Sequence, residues 1–462
     1  MKPYAALACL LLAGCSTRGL AEQVGSGLPA VPRASADMLA RDEAGIGAVS
    51  DDRFHTTYVR LGSRSAEGLL YDPSIGAVSD TALVYLHPNG NTFDEPLGPQ
   101  MASRGYRTLM INHHGTEEAD DIFAPSISQG IRFLKSLEGV DRVVLVAHSG
   151  GGHVAAFYQN VAENGPSACS GPEKIYPCRI GLVIDLEKAD GLVLLDPTLG
   201  AFHQMSSIDP AWTEAGRDPA LDMFAPGNGY DPSTGTATYS PEMIQRFHAA
   251  QANRNAVIVD GALSRLAAIE RGEGAYSDDE PLVIKGMAVS SGGARLYQPD
   301  TALVSRTRAP HLLLKADGAD VDEIISSVRP ATGQRPSDRL PALATSQNTT
   351  VRRFLAASAV RTGADFAITE NNIVGVDWPS AMSSSPSNAA GVTVPSLVLT
   401  MSCHYLAVPG EIIFDSLSAS DKTYAAVEGA THLFAPCRPE YGDTMKRTFD
   451  FLDGWLSMRG RF

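Results

Sequence analysis

The chain has 462 residues, 44% of them hydrophobic and 19% charged, a globular composition with enough apolar side chains for one large domain or two smaller ones. Its 37 Lys and Arg stand against 52 Asp and Glu, a formal net charge of -15. A polyanion would be repelled over most of such a surface, so nucleic acid is excluded as a partner.

The N-terminus reads MKPYAALACLLLAGC: one Lys, an apolar run too short to span a bilayer as a mature helix, then small residues before Cys15. This is the pattern of an export signal. The LAGC ending at Cys15 resembles a bacterial lipoprotein signal. That resemblance implies residues 1–14 as a cleaved signal peptide, a diacylglycerol on the Cys15 thiol and acylation of the new amine. Two or three acyl chains anchor a protein stably where one does not. The expected location is the bacterial cell envelope, membrane-held by lipid and facing the periplasm or exterior. From Cys15 to about residue 50 the sequence is rich in Ala, Gly, Ser and Pro with little apolar periodicity, which predicts a tether.

With Cys9 lost in the signal and Cys15 assigned to lipid, Cys169, Cys178, Cys403 and Cys437 remain. Four cysteines allow three connectivities, and sequence does not select among them. The favoured pairs are 169 with 178, which bracket the short loop CSGPEKIYPC, and 403 with 437, which flank two neighbouring late segments. A structural zinc site would want closely spaced ligands such as C-x-x-C, and none occurs.

In chain order, RFHTTYVRLG and AEGLLYDPSI read as strands, and TALVYLHPNGN as a buried strand ending in a turn. A helix ending near Arg104, a strand YRTLMINHHG, a helix ISQGIRFLKSLEG and a strand VVLVAH follow. The alternation resumes at ADGLVLLDP and again at VPSLVLTMS, a helix EIIFDSL, the strand KTYAAVEG and a closing helix from Thr444 to Leu456. It predicts an α/β fold with a mainly parallel sheet and right-handed crossovers. Between about 198 and 393 the pattern breaks. SPEMIQRFHAAQANRNAVI opens a helix with Ser240 as cap and Pro241 in its first turn, and DGALSRLAAIERG reads as a second helix. PLVIKGMAV and PHLLLKADG read as short strands, VRRFLAASAVRTG as a helix and MSSSPSNAAG as loop. The expected division is a core of 51–197 and 394–462 with a cap of 198–393, inserted between the sixth and seventh strands.

The stretch VVLVAHSGGGHVAAF runs from a strand through Ser149 and three glycines into a helix. A strand that stops at a serine with small neighbours holds the hydroxyl clear of the sheet. AHSGG resembles the nucleophile elbow of the α/β-hydrolase superfamily, departing from G-x-S-x-G at Ala147. The resemblance implies a chain order of Ser, acid, His, and places the histidine after the last strand, where KTYAAVEGATHLFAPC supplies His432. A serine hydroxyl needs such a base within reach and a third group to hold the base's tautomer. That C-terminal region also looks similar to bacterial cutinase-like polyester hydrolases, over about a tenth of the chain. The superfamily's usual acid position, after VPSLVLTMS, holds Cys403, His404 and Tyr405. Asp196, ending GLVLLDP, is therefore the first candidate acid, Glu411 is the alternative, and Asp317 is set aside as lying in the insertion. The oxyanion donors implied are the amides of Gly150 and, from the turn LHPNGNTF, Asn89. His87 is expected to brace that turn, and the glycines to let a substrate carbonyl approach the backbone.

His148 is expected to line the site and His153 to pack behind it, with His113, His114, His203 and His404 as further cleft residues. No H-E-x-x-H, G-x-G-x-x-G or Walker sequence accompanies them, so no metal and no cofactor are expected. The implied activity is hydrolysis of a carboxylic ester through a Ser149 acyl-enzyme. Lactone, amide or carbon-carbon substrates on the same triad, and a non-catalytic envelope lipoprotein, are the alternatives. A large cap favours a small or medium apolar acyl substrate over a polymer.

Overall fold

The computed structural model describes residues 52–61, 66–88, 91–113, 119–213, 216–288, 293–331 and 346–462. The signal, Cys15, the tether, Asn89 and His114 lie outside these residues.

Ten strands form the main sheet: β1 (Phe54–Leu61), β2 (Ala66–Pro73), β3 (Thr81–Leu86), β4 (Thr108–His113), β5 (Arg142–His148), β6 (Gly191–Leu195), β7 (Arg306–Leu314), β8 (Asp320–Ser326), β9 (Ser396–Met401) and β10 (Lys422–Val427). Their spatial order is β1-β2-β4-β3-β5-β6-β9-β10-β7-β8. From β4 to β7 every pairing is parallel, while β1, β2 and β8 run antiparallel to their neighbours. The central strands are short, apolar and rich in Val and Leu because both faces are covered. Along β5, Val143, Leu145 and Ala147 enter one core layer and Val144 and Val146 the other. That is the period-two alternation of a strand.

One face is covered by α1 (Leu97–Ala102) and α9 (Thr444–Leu456), through Leu97, Met101, Phe449, Leu452 and Trp455. The other is covered by α2 (Ala124–Lys135), α3 (Gly151–Asn164) and α8 (Ala407–Ser416). Ala124, Ile127, Ile131 and Leu134 give α2 an apolar stripe at helical spacing.

The insertion between β6 and β9 differs from expectation in three places. The two helices expected after Ser240 are one, α5 (Pro241–Glu270), with Ser240 Oγ accepting from the amide of Met243 at 3.2 Å. Gly261 does not break it: the buried stripe Phe247, Gln251, Asn255, Val259, Ala262 continues past it, and burial outweighs the ~1 kcal/mol helical penalty of a glycine. The strand at PHLLLKADG is not part of a lid: β7 pairs in parallel with β10, and β7 and β8 extend the central sheet. Third, the loop expected at MSSSPSNAAG contains a short helix, Ser385–Ala389, capped by Ser384 Oγ. The hairpin Arg361–Ile368 with Ile373–Asp377 lies against α5, tied by Asn255 Nδ2 donating to the Val360 oxygen at 2.8 Å. Both expected disulfides, Cys169–Cys178 and Cys403–Cys437, are formed.

Candidate active site

β5 ends at His148, α3 begins at Gly151, and the turn between them puts Ser149 at φ 55°. An L-residue in the left-handed region is strained by roughly 1–2 kcal/mol, so the surroundings must hold it. They do so through the backbone. The Ser149 amide donates to the Leu195 oxygen at 3.0 Å, and the Ser149 oxygen accepts from Thr198 at 3.0 Å and Gly152 at 3.1 Å. Two of the three glycines have a packing role that the sequence does not announce. A Cβ on Gly151 would stand 2.5 Å from the Leu86 oxygen, and one on Gly152 would stand 2.6 Å from Pro197 Cβ. Gly150 faces Pro88 in the turn after β3, with His153 Nε2 beyond.

Asp196 is the residue after β6 and also has positive φ, 44°. Its amide donates to the Leu399 oxygen at 2.8 Å, and its Oδ1 accepts from the Met401 amide at 3.1 Å. The side chain is fully buried. Its other oxygen, Oδ2, accepts from two imidazoles: His432 Nδ1 at 2.6 Å and His404 Nδ1 at 2.6 Å. Burial pushes the Asp196 carboxyl up, and the two histidines beside it outweigh that and hold it well below the usual carboxylate range. Asp196 therefore meets His432 as a carboxylate.

His432 follows β10 in a loop fixed at several points. Cys403 beside it donates its amide to the Ala430 oxygen at 2.9 Å, Cys437 is bridged to Cys403, and Thr431 donates to Ala435 at 2.8 Å. The fourth hold is His148, whose Nε2 lies 2.8 Å from the His432 backbone oxygen. A carbonyl only accepts, so His148 carries its proton on Nε2. Burial, then the His432 charge, push His148 down to about 3, so it is neutral. The rings of His148, His432, His404 and Tyr405 follow one another with centroids 4.4, 4.5 and 4.2 Å apart.

The structure does not bring Glu411 to His432. Because α8 begins at Ala407, Glu411 lies in its second turn and faces β7, where it accepts from His311 Nε2 at 3.0 Å and from the amides of Arg308 and Ala309. Asp317 caps the β7–β8 hairpin through the Ala319 amide. His153 pairs its Nδ1 with fully buried Asp120 at 2.9 Å and with Ser383 Oγ at 3.0 Å. His113 packs on Phe123. His203 stacks on Tyr405 and, with Leu199, Phe202, Tyr297 and Ile373, lines a narrow apolar recess of about 10 Å³.

Two roles escaped the sequence reading: His404 on the Asp196 carboxylate, and His148 on the His432 carbonyl. The only signal was position, His404 standing where an acid was sought. Asp196, His404 and His432 could together hold a cation by type, their ligand atoms lying within 4.8 Å of one another. Ligands around a tetrahedral zinc stand ~3.3 Å apart, given bonds of about 2.0–2.1 Å. The 2.6 Å separations here are those of charge-assisted hydrogen bonds.

No family model matches the chain, and no curated protein matches it in sequence. Solved structures align over most of its length at low identity. A hypothetical protein from Pseudomonas aeruginosa is 15% identical, over 88% of this chain and 95% of that one, with a TM-score of 0.39. Brefeldin A esterase, a bacterial homologue of human hormone-sensitive lipase, is 12% identical over 88% and 77%, with a TM-score of 0.37. A dienelactone hydrolase from Anabaena variabilis is 10% identical over 87% and 96%, with a TM-score of 0.35. The sheet order, the antiparallel second strand and the strained serine turn after β5 are those of the α/β-hydrolase fold.

Proposed function

We propose that the protein is an exported serine hydrolase that cleaves a carboxylic ester. The observation that carries this reading is the His432–Asp196 pair, 2.6 Å apart with the carboxylate fully buried, beside the Ser149 turn. In the proposed reaction Ser149 Oγ attacks the ester carbonyl while His432 Nε2 takes its proton. Asp196 keeps the His432 proton on Nδ1 and stabilises the imidazolium that forms. The tetrahedral oxyanion is met by the Gly150 amide at the start of α3, where free N–H groups and the helix dipole favour negative charge. Asn89, the second donor expected from sequence, lies outside the described residues. Collapse breaks the ester C–O bond, and His432 returns its proton to the leaving alcohol. Water then repeats the sequence on the acyl-enzyme and releases the acid and free Ser149.

A small or medium apolar acyl group is the proposed substrate, because a large insertion suits an enclosed substrate better than a polymer. Lactones, amides and carbon-carbon bonds would draw on the same groups. A non-catalytic lipoprotein is the other reading, which the lack of an acid after β9 favours and the Asp196–His432 pair speaks against. Two disulfides accord with an oxidising compartment outside the cytoplasm, and lipidation at Cys15 is part of the proposal.

The test is labelling of the mature protein by a fluorophosphonate, with Ser149→Ala as control and peptide mapping of the adduct. Labelling at Ser149 alone, with turnover of short-chain aryl esters, is expected. A folded wild-type protein that neither labels nor turns over these esters overturns the reading.

A further inference from the structure

In this chain the place after β9 that the superfamily resemblance assigns to the acid is filled by a base. His404 follows Cys403 in the turn after β9, and its Nδ1 lies 2.6 Å from Asp196 Oδ2, the same oxygen that His432 Nδ1 reaches at 2.6 Å. The turn is held from several sides. Ser327 Oγ donates to the His404 oxygen at 2.8 Å, Cys403 is bridged to Cys437, and Tyr405 packs on the His404 ring.

We propose that His404 is a positioning residue of the hydrolase, a second imidazole that donates to the catalytic carboxylate and sets how strongly Asp196 supports His432. The inference rests on the proposed serine-hydrolase reading. Among the described residues Asp196 has three donors on two oxygens: the Met401 amide on Oδ1 and both imidazoles on Oδ2. Donors sharing one oxygen compete for its charge, so each weakens the other's bond. His404 thus draws negative charge away from His432 and makes the His432 imidazolium less stable than a lone His–Asp pair would. It also fixes Asp196 from a second direction, so the carboxylate keeps its orientation when His432 moves.

The charged and titratable groups that face His404 are Asp196 from the end of β6, His432 from the loop after β10, and Arg329 from beyond β8. His203 of the short helix Ala201–Met205 and the phenol of Tyr405 complete its surroundings. Burial, with His432 and Arg329 acting in the same direction, outweighs the opposing Asp196 charge and lowers the His404 pKa below its ordinary value. His404 therefore acts as a neutral donor through Nδ1–H.

The experiment compares wild type, His404→Leu and His404→Asn by the pH profile of kcat/KM and by the downfield imidazole N–H resonances in proton NMR. Leucine keeps bulk and removes the donor. Asparagine places an amide N–H where Nδ1 stood and does not titrate. In His404→Leu the acid limb is expected to move up by about one pH unit, the scale of one hydrogen bond to a charged group, with KM within about twofold. In His404→Asn the limb is expected to return toward wild type. Wild type is expected to show one downfield resonance that each variant lacks, beside those of His432 and of the other carboxylate-paired imidazoles, His153 and His311. A His404→Leu limb that coincides with wild type, or a His404→Asn limb displaced as far as that of His404→Leu, overturns the proposal. Failure of the hydrolase reading is separate: Ser149 then resists the fluorophosphonate, while the resonance lost in the variants still reports whether His404 donates to Asp196.

Discussion

His148 Nε2 lies 2.8 Å from the backbone oxygen of His432, so the residue before the candidate nucleophile holds the loop of the candidate base. Replacing His148 by Phe keeps an aromatic ring between His432 and Phe434 and removes this donor. The loss of one such bond corresponds to about a tenfold fall in kcat with little change in KM. Since His148 is held down to about 3, the loss is expected to be the same at every pH from 6 to 9. Steady-state kinetics on an aryl ester across that range provides the check.

Asp196→Asn presents an amide to two imidazole Nδ1–H groups. If the amide N–H₂ turns toward them, both histidines must move their protons to Nε2, and His432 then has no lone pair for the serine proton. A fall in kcat of about 10⁴-fold is expected, as for a triad that loses its tautomer control. The substituted side chain has the same shape and would stay in the same buried space, so the thermal transition should remain cooperative. Kinetics together with calorimetry on the variant separate the two effects.

Gly151 has no room for a methyl group, because a Cβ there would stand 2.5 Å from the Leu86 oxygen, a backbone atom of β3. Gly151→Ala must therefore push α3 off the sheet. A destabilisation of about 1–3 kcal/mol is expected, read as a lower urea midpoint at unchanged slope, with fluorophosphonate labelling reduced in step.

His248 is buried in α5, where Nδ1 accepts from the Ile368 amide at 3.4 Å and the ring packs on Phe366. Burial pushes it down to about 4, against an ordinary value of 6.5. The unfolded chain then binds a proton that the folded chain refuses, so stability falls as pH drops from about 6.5 toward 4. The loss between pH 7 and 5 is on the order of 1–2 kcal/mol. Urea titrations at the two pH values should show it, and His248→Phe should reduce the difference.

Much of the core was legible because its signals are local. Continuous Val/Leu runs mark strands covered on both faces, and the 3.6-residue spacing of Ala124, Ile127, Ile131 and Leu134 marks the helix α2 between them. The closing helix was placed from Thr444 to Leu456 and lies there. The insertion was harder. Gly261 looks like a helix break in sequence, and only the continuous buried stripe across it shows why α5 persists. Nothing in PHLLLKADG tells that β7 will be captured by β10, since a short apolar strand fits a cap or a sheet edge equally well until its neighbours are in place.

By itself the sequence determined the serine turn and the histidine after the last strand, because each depends on neighbours within a short stretch or on a fixed chain order, whereas the pairing of Cys169 with Cys178 and of Cys403 with Cys437 was only favoured until the fold brought them together. Only the tertiary structure decided among the carboxylates. Asp196 and Glu411 both stand near strand ends in sequence, and the choice is made by where each side chain points once β6, β9 and α8 are packed: Asp196 to His432 and His404, Glu411 to β7. Hydrogen bonds act over about 3 Å while these residues are more than 200 positions apart, as His404 and His432 are from Asp196, so no local pattern can encode the pairing.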